Sequence, residues 1–174
     1  MRWVVLLVVA ALPAASAAPR HLAADDHRQL DALTQVYLER RADKITVRPP
    51  APGFGVPATE EFAARLRTDE AKLAARRARL GALPFGGYAR AEVGTELTGV
   101  AVGGDGSAVV HVQEVTHLYF EEPGGVPRSS FGFGHVLVFE RAPEGWVLAD
   151  ATPAPGSVCK IPPETQFCGY GSER

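Results

Sequence analysis

The chain has 174 residues, with 18 Lys and Arg against 20 Asp and Glu and a formal net charge of −2. That length suits one ordinary domain with a real core. The charge balance argues against a nucleic-acid binder, which needs a basic stripe to neutralise phosphates. It also gives no attraction to an anionic membrane surface.

Met1-Arg2 is a positive start, and Trp3 to Leu12 is an unbroken apolar run of about ten residues. Ala15-Ser16-Ala17 then supplies the small-x-small pattern that signal peptidase reads. Residues 1–17 are therefore expected to be an export signal cleaved near Ala17, giving a secreted, extracellular product. A run of ten is about half of the ~20 residues needed to span a bilayer, so no stable membrane insertion is expected. Removing Arg2 with the signal takes the net charge to about −3. Residues 18–25 read as a flexible N-terminus.

A helix is expected from about Asp26 to Arg41, with Leu30, Leu33 and Tyr37 on one face. Residues 46–58 hold four prolines and two glycines and read as an extended loop. The clearest helix follows. Thr59 is its N-cap, Glu60 and Glu61 favour its first turn, and Phe62, Leu66, Leu73 and Leu80 form one stripe. Gly81 is expected to end it as the C′ residue.

After a Gly- and Pro-containing stretch the period changes from 3.6 to 2. Strands are expected near 88–102, 107–120, 129–141 and 145–151. Gly103-Gly104-Asp105-Gly106 and Ala142-Pro143-Glu144-Gly145 are turn sequences, so successive strands are antiparallel. Helices first and a meander second give an α+β fold, in which N-terminal helices cover a curved antiparallel sheet of about four strands.

On the second strand Ala108, Val110, Val112, Glu114, Thr116, Leu118 and Phe120 share the more apolar face. On the third, Phe131, Phe133, His135, Leu137 and Phe139 do so. Both faces meet one core if Glu114 pairs directly across from His135. A carboxylate beside an imidazole under a helix layer is a candidate acid/base or ligand-binding pair. The competing reading is a mutually satisfied structural pair. Asp69 lies between Leu66 and Leu73 on the helix wheel and is a third candidate, unless it pairs with Arg65 one turn back.

His111, Gln113, Val115, His117 and Tyr119 face the other way. The spacing of His111 and His117 suits an exposed sheet face better than a metal site, which needs a further ligand nearby. No G-x-S-x-G, HExxH, Walker or dinucleotide-binding pattern occurs, so no metal and no cofactor is expected. Trp146, after a turn glycine, is expected to anchor the core. Cys159 and Cys168, in an oxidising compartment, are expected to form one disulfide within the 153–174 tail. Closing that loop contributes roughly 2.5–3 kcal/mol in the chain-entropy model.

The order of elements, with Val109-Val110-His111-Val112, His117-Leu118-Tyr119-Phe120, Gly134-His135-Val136-Leu137-Val138-Phe139-Glu140 and Gly145-Trp146-Val147-Leu148-Ala149-Asp150, resembles the NTF2-like (cystatin-like) superfamily over about 26–152. Within it, the chain looks like the N-terminal non-catalytic domain of secreted actinobacterial amidase-domain proteins. In that family a papain-like amidase domain follows, with its nucleophile in a Cys-Thr-Asn-Phe context. Cys159, in Val-Cys-Lys, and Cys168, in Phe-Cys-Gly, match it at neither position, so no catalytic residue carries over. The resemblance implies a cone-shaped accessory domain that binds a small ligand or a protein partner at the cell envelope. One branch of the superfamily holds isomerases, dehydratases and cyclases, which would make Glu114, His135 and Asp69 the working groups. A third expectation is a structural homodimer through the open sheet face.

Overall fold

The structure, a computed structural model, describes residues 22–122 and 124–155. The export signal and the Cys159/Cys168 pair lie outside the described residues. Two helices, α1 (Ala24–Asp43) and α2 (Glu60–Gly81), precede four strands. These are β1 (Tyr88–Val102), β2 (Ala108–Phe120), β3 (Arg128–Ala142) and β4 (Gly145–Pro153). The strands form one antiparallel open sheet in the order β1-β2-β3-β4, and the helices pack against it as an α+β fold.

The local chemistry explains the elements. Thr59 caps α2, its hydroxyl accepting from the Phe62 amide at 3.3 Å. The other end differs from expectation. Gly81 is the last helical residue, and Ala82 follows in right-handed geometry. Ala82 N donates to Arg79 O and Leu83 N to Leu80 O, so a tight turn closes the helix. Gly86 (φ 70°) and Gly87 (φ 90°) make the left-handed reversal into β1 instead. Residues 47–57 run in irregular conformation between two single parallel bridges, Thr46 with Tyr88 and Ala58 with Leu148.

The inward faces are those the alternation predicted. From β2, Ala108, Val110, Val112 and Leu118 are buried, and from β3, Phe131, Phe133, Leu137 and Phe139. Phe62, Leu66 and Leu73 of α2 and Leu30, Tyr37 and Leu38 of α1 close over them. Tyr37 packs its ring 5.9 Å from Phe54 and 6.4 Å from Phe62, which ties α1, the loop and α2 together. Trp146 is buried, donates its indole N–H to Asp26 at 3.1 Å and lies under the Arg141 guanidinium.

The register between β2 and β3 is slipped by two residues from the expected one. Val112 faces His135, and Glu114 faces Phe133. Phe120 N donates to Pro127 O in the connecting loop, and that closure sets the register. A slip of two preserves parity, so every side chain keeps its face.

Candidate functional site

Glu114 and His135 are diagonal neighbours on adjacent strands, and their side chains span the offset. His135 Nε2 lies 2.5 Å from Glu114 Oε2. Nothing in the strand alternation points to Arg41 of α1, whose Nη2 lies 2.5 Å from the same carboxylate oxygen. Thr116, two residues on and on the same face, donates its hydroxyl to Glu114 Oε1 at 2.5 Å. All four side chains are buried. Arg41 carried a readable signal. Leu30, Thr34, Tyr37, Leu38 and Arg41 are all buried and in phase on α1, and a cation in phase with an apolar stripe requires a buried counter-charge.

The electrostatics follow from those contacts. Burial works to raise the Glu114 carboxyl, but the Arg41 charge, the His135 contact and the Thr116 hydrogen bond outweigh it and hold it at about 2. Glu114 is thus a permanent anion near neutral pH. Burial, followed by the Arg41 charge, lowers the His135 imidazole below its ordinary value, against the opposing pull of Glu114. His135 is then neutral, and only an Nε2–H tautomer bridges to the carboxylate as a donor. Arg41 Nη2, 3.2 Å from that nitrogen, is a neighbour of the ring rather than a hydrogen-bond donor to it. Tyr37, wholly buried beside this cluster, has its phenol pushed up to about 12 by burial despite Arg41.

The space beside these groups is small. A cavity of about 10 Å³ is lined by Tyr37, Arg41, Phe133 and His135, with Ala151, Thr152 and Pro153 of β4. That is room for about one water. Arg41 Nε, buried and with no partner among the described residues, is a group such a water would satisfy. Phe133 packs edge-on against the His135 ring at 5.0 Å and lines the same small cavity.

The third candidate stands apart. Asp69 is half-buried and accepts from Lys72 Nζ at 3.1 Å. Its expected partner Arg65 reaches Asp150 of β4 instead, at 2.7 Å, and so links α2 to the sheet. Lys72 is three residues ahead of Asp69 on the same helix face, and Asp150 gives Arg65 a partner across the interface.

On the outward sheet face His111 and Gln113 are exposed, and His117 Nδ1 lies 2.7 Å from Ser130 Oγ. Tyr119 donates its hydroxyl to Glu92 at 2.6 Å and lies between the guanidinium groups of Arg90 and Arg128, 3.5 and 5.8 Å from its ring. Val115 is the one large exposed hydrophobic residue of this face among the described residues.

No protein-family model matches the chain, and no curated protein does. Among solved structures, the chain is similar to the intermembrane-space region of the chloroplast protein ARC6, with a TM-score of 0.49 and 14% identity, covering 78% of this chain and 98% of that one. A likeness of that size carries no argument about activity. No described helix is long and apolar enough to cross a membrane.

Proposed function

We propose that this chain is an exported, non-catalytic domain of NTF2-like type that acts by contact with a protein partner at the cell envelope. In this reading Arg41, Glu114, His135 and Thr116 hold the core and take no part in chemistry. The observation that carries it is the engagement of both Glu114 carboxylate oxygens. Its carboxylate accepts from Arg41, His135 and Thr116, and the adjoining space is about 10 Å³.

A general base works best with a pKa near the working pH. A carboxylate held at about 2 by a guanidinium is a poor base, and the imidazole's Nε2 is already committed. A small-ligand site at Glu114 and His135 meets the same lack of space. The 2.5 Å contact between Glu114 and His135 is what favours the alternative, an isomerase, dehydratase or cyclase type of enzyme. That reading requires the small cavity to enlarge.

The test uses the His135 ring resonances of the protein, titrated with small enolisable ketones, epoxides and polyenes. The non-catalytic reading expects those resonances to stay still and no turnover to appear. Ring shifts together with turnover lost in Glu114→Gln would overturn it. For export, expression with the native N-terminus in a secreting host should give a product beginning at Ala18. Thiol titration of that product should find Cys159 and Cys168 without free sulfhydryls.

A further inference from the structure

We propose that the groove between α1 and the open edge of β1 docks an extended, basic segment of a partner protein as a fifth strand. This rests on the partner-binding reading above and gives it a surface and a chemistry.

β1 pairs with β2 on one side only. Among the described residues its other edge meets a second backbone only at Tyr88, which bridges Thr46. Farther along, the Val93 carbonyl points away from β2, because it accepts from Gln35 Nε2 of α1 at 2.9 Å. Successive residues of a strand turn their backbone groups to opposite sides, so Ala91, Val93 and Thr95 present N–H and C=O to the open edge. Open edges pair readily with added strands.

Gln35 fills one rung of this vacant ladder. Besides donating to Val93 it accepts from the Thr95 hydroxyl. A side-chain amide that mimics a neighbouring strand is one that an incoming backbone amide displaces without leaving Val93 unpaired. Two recesses flank it along the groove. One, of about 370 Å³, lies between Glu39 and Asp43 of α1 and Ala91, Glu92 and Val93 of β1. The other, of about 430 Å³, lies between Arg28, Asp31, Ala32 and Gln35 and Thr95. Arg28, Asp31, Ala32, Gln35, Glu39 and Asp43 share one face of α1 by their spacing. From Arg28 to Asp43 that face is ~22 Å long at 1.5 Å per residue, the length of a strand of about six residues.

Charge selects the occupant. Asp31, Glu39 and Asp43 line the groove against one cation, Arg28, which Asp25 already engages, while the Glu92 side chain turns to the outward sheet face, where Arg90 and Tyr119 engage it. Asp31, Glu39 and Asp43 have no ion-pair partner among the described residues. Burial holds the Asp43 carboxyl above its ordinary value, and Glu39 adds to the shift against the pull of Arg40, so a cation arriving there is stabilised. A second copy joined edge to edge would oppose two such acidic sets, at a like-charge cost. Residues 156–174 follow β4, on the opposite edge of the sheet, and carry Lys160 and Arg174 against Glu164 and Glu173, so they offer no basic strand.

The experiment titrates the ¹⁵N-labelled full chain with three peptides. They are acetyl-Lys-Val-Lys-Thr-Lys-Val-Lys-amide, its counterpart with Glu for Lys, and the Lys peptide N-methylated at alternate amides. The expected result is movement of the Ala91, Val93 and Thr95 amides and of the Gln35 side-chain amide with the Lys peptide. The Glu and N-methylated peptides, and the Lys peptide on D31K/E39K protein, should bind at least about tenfold more weakly. Equal binding of the N-methylated peptide would overturn strand addition, as would shifts confined to other surfaces. Movement of the same amides with protein concentration alone would assign the edge to a second copy and also overturn it. If no peptide moves these amides while the His135 resonances stay silent to the small molecules, the docking proposal falls and the non-catalytic reading stands.

Discussion

Arg41 of α1 and Glu114 of β2 lie 73 residues apart in sequence and meet as a buried ion pair, Nη2 to Oε2 2.5 Å, with 3% and 0% of their side chains exposed. Removing one member of such a pair leaves the other as an uncompensated buried charge. Arg41→Met should therefore cost about 3–5 kcal/mol in urea denaturation. Replacing both, as Arg41→Met with Glu114→Leu, should recover most of that loss, because two apolar residues leave no orphaned charge. A single-variant cost under about 1 kcal/mol would mean that the pair does not hold α1 to the sheet.

Stability should fall on acidification in two windows. His135 has a folded-state pKa below its unfolded value, so below about pH 6.5 the unfolded chain binds a proton that the folded one does not. Glu114 is likewise depressed, to about 2, so its contribution is fully present above the unfolded glutamate value and is lost as pH falls from about 4.5 toward 2. Each proton contributes a slope of at most about 1.4 kcal/mol per pH unit. Urea midpoints between pH 7.5 and 3 should show both windows, and His135→Asn should flatten the upper one. A stability that rises on acidification from pH 7 to 5 would contradict the cluster geometry.

Lys44, just past α1, is buried, and its ammonium donates to Glu70 of α2 and to the Ala51 carbonyl, both at 2.6 Å. Glu70 also accepts from the Gly53 amide at 3.0 Å, so one carboxylate fixes the loop to both helices. Glu70→Gln should cost about 1–2 kcal/mol, discounted because Glu70 is itself a third exposed. The sharper readout is local. Limited proteolysis should cut within 47–57 faster in the variant than its global destabilisation accounts for.

Thr59→Ala should cost about 1 kcal/mol, and Thr59→Ser a few tenths, because the hydroxyl serves one otherwise unpaired amide at the start of α2. Thermal melts of the two variants separate the cap from general packing. Equal losses would show that the methyl group, and not the oxygen, matters.

Much of the fold was legible because its signals are local. Thr59, the Phe62–Leu66–Leu73 stripe and the alternation of β2 and β3 each depend on neighbours within a few residues, and each element formed where its pattern lies. Gly81 misled because a glycine after a helical run is compatible with a C′ residue, whereas a turn through Ala82 and Leu83 deferred the reversal to Gly86 and Gly87. The pairing of Asp69 with Arg65 failed for a similar reason. Helical spacing permitted it, but Asp150 on β4 competed for the guanidinium.

The sequence by itself determined which side chains face inward, and it placed Glu114 and His135 on that face, because a period of two is a property of the strand alone. The tertiary structure decided what those groups are. The loop closure between Phe120 and Pro127 set the register, and the packing of α1 brought Arg41 onto the carboxylate. It also left the β1 edge open beside α1. Registers, ion pairs across elements and open edges depend on how separate segments meet, and that information lies in no single window of the chain.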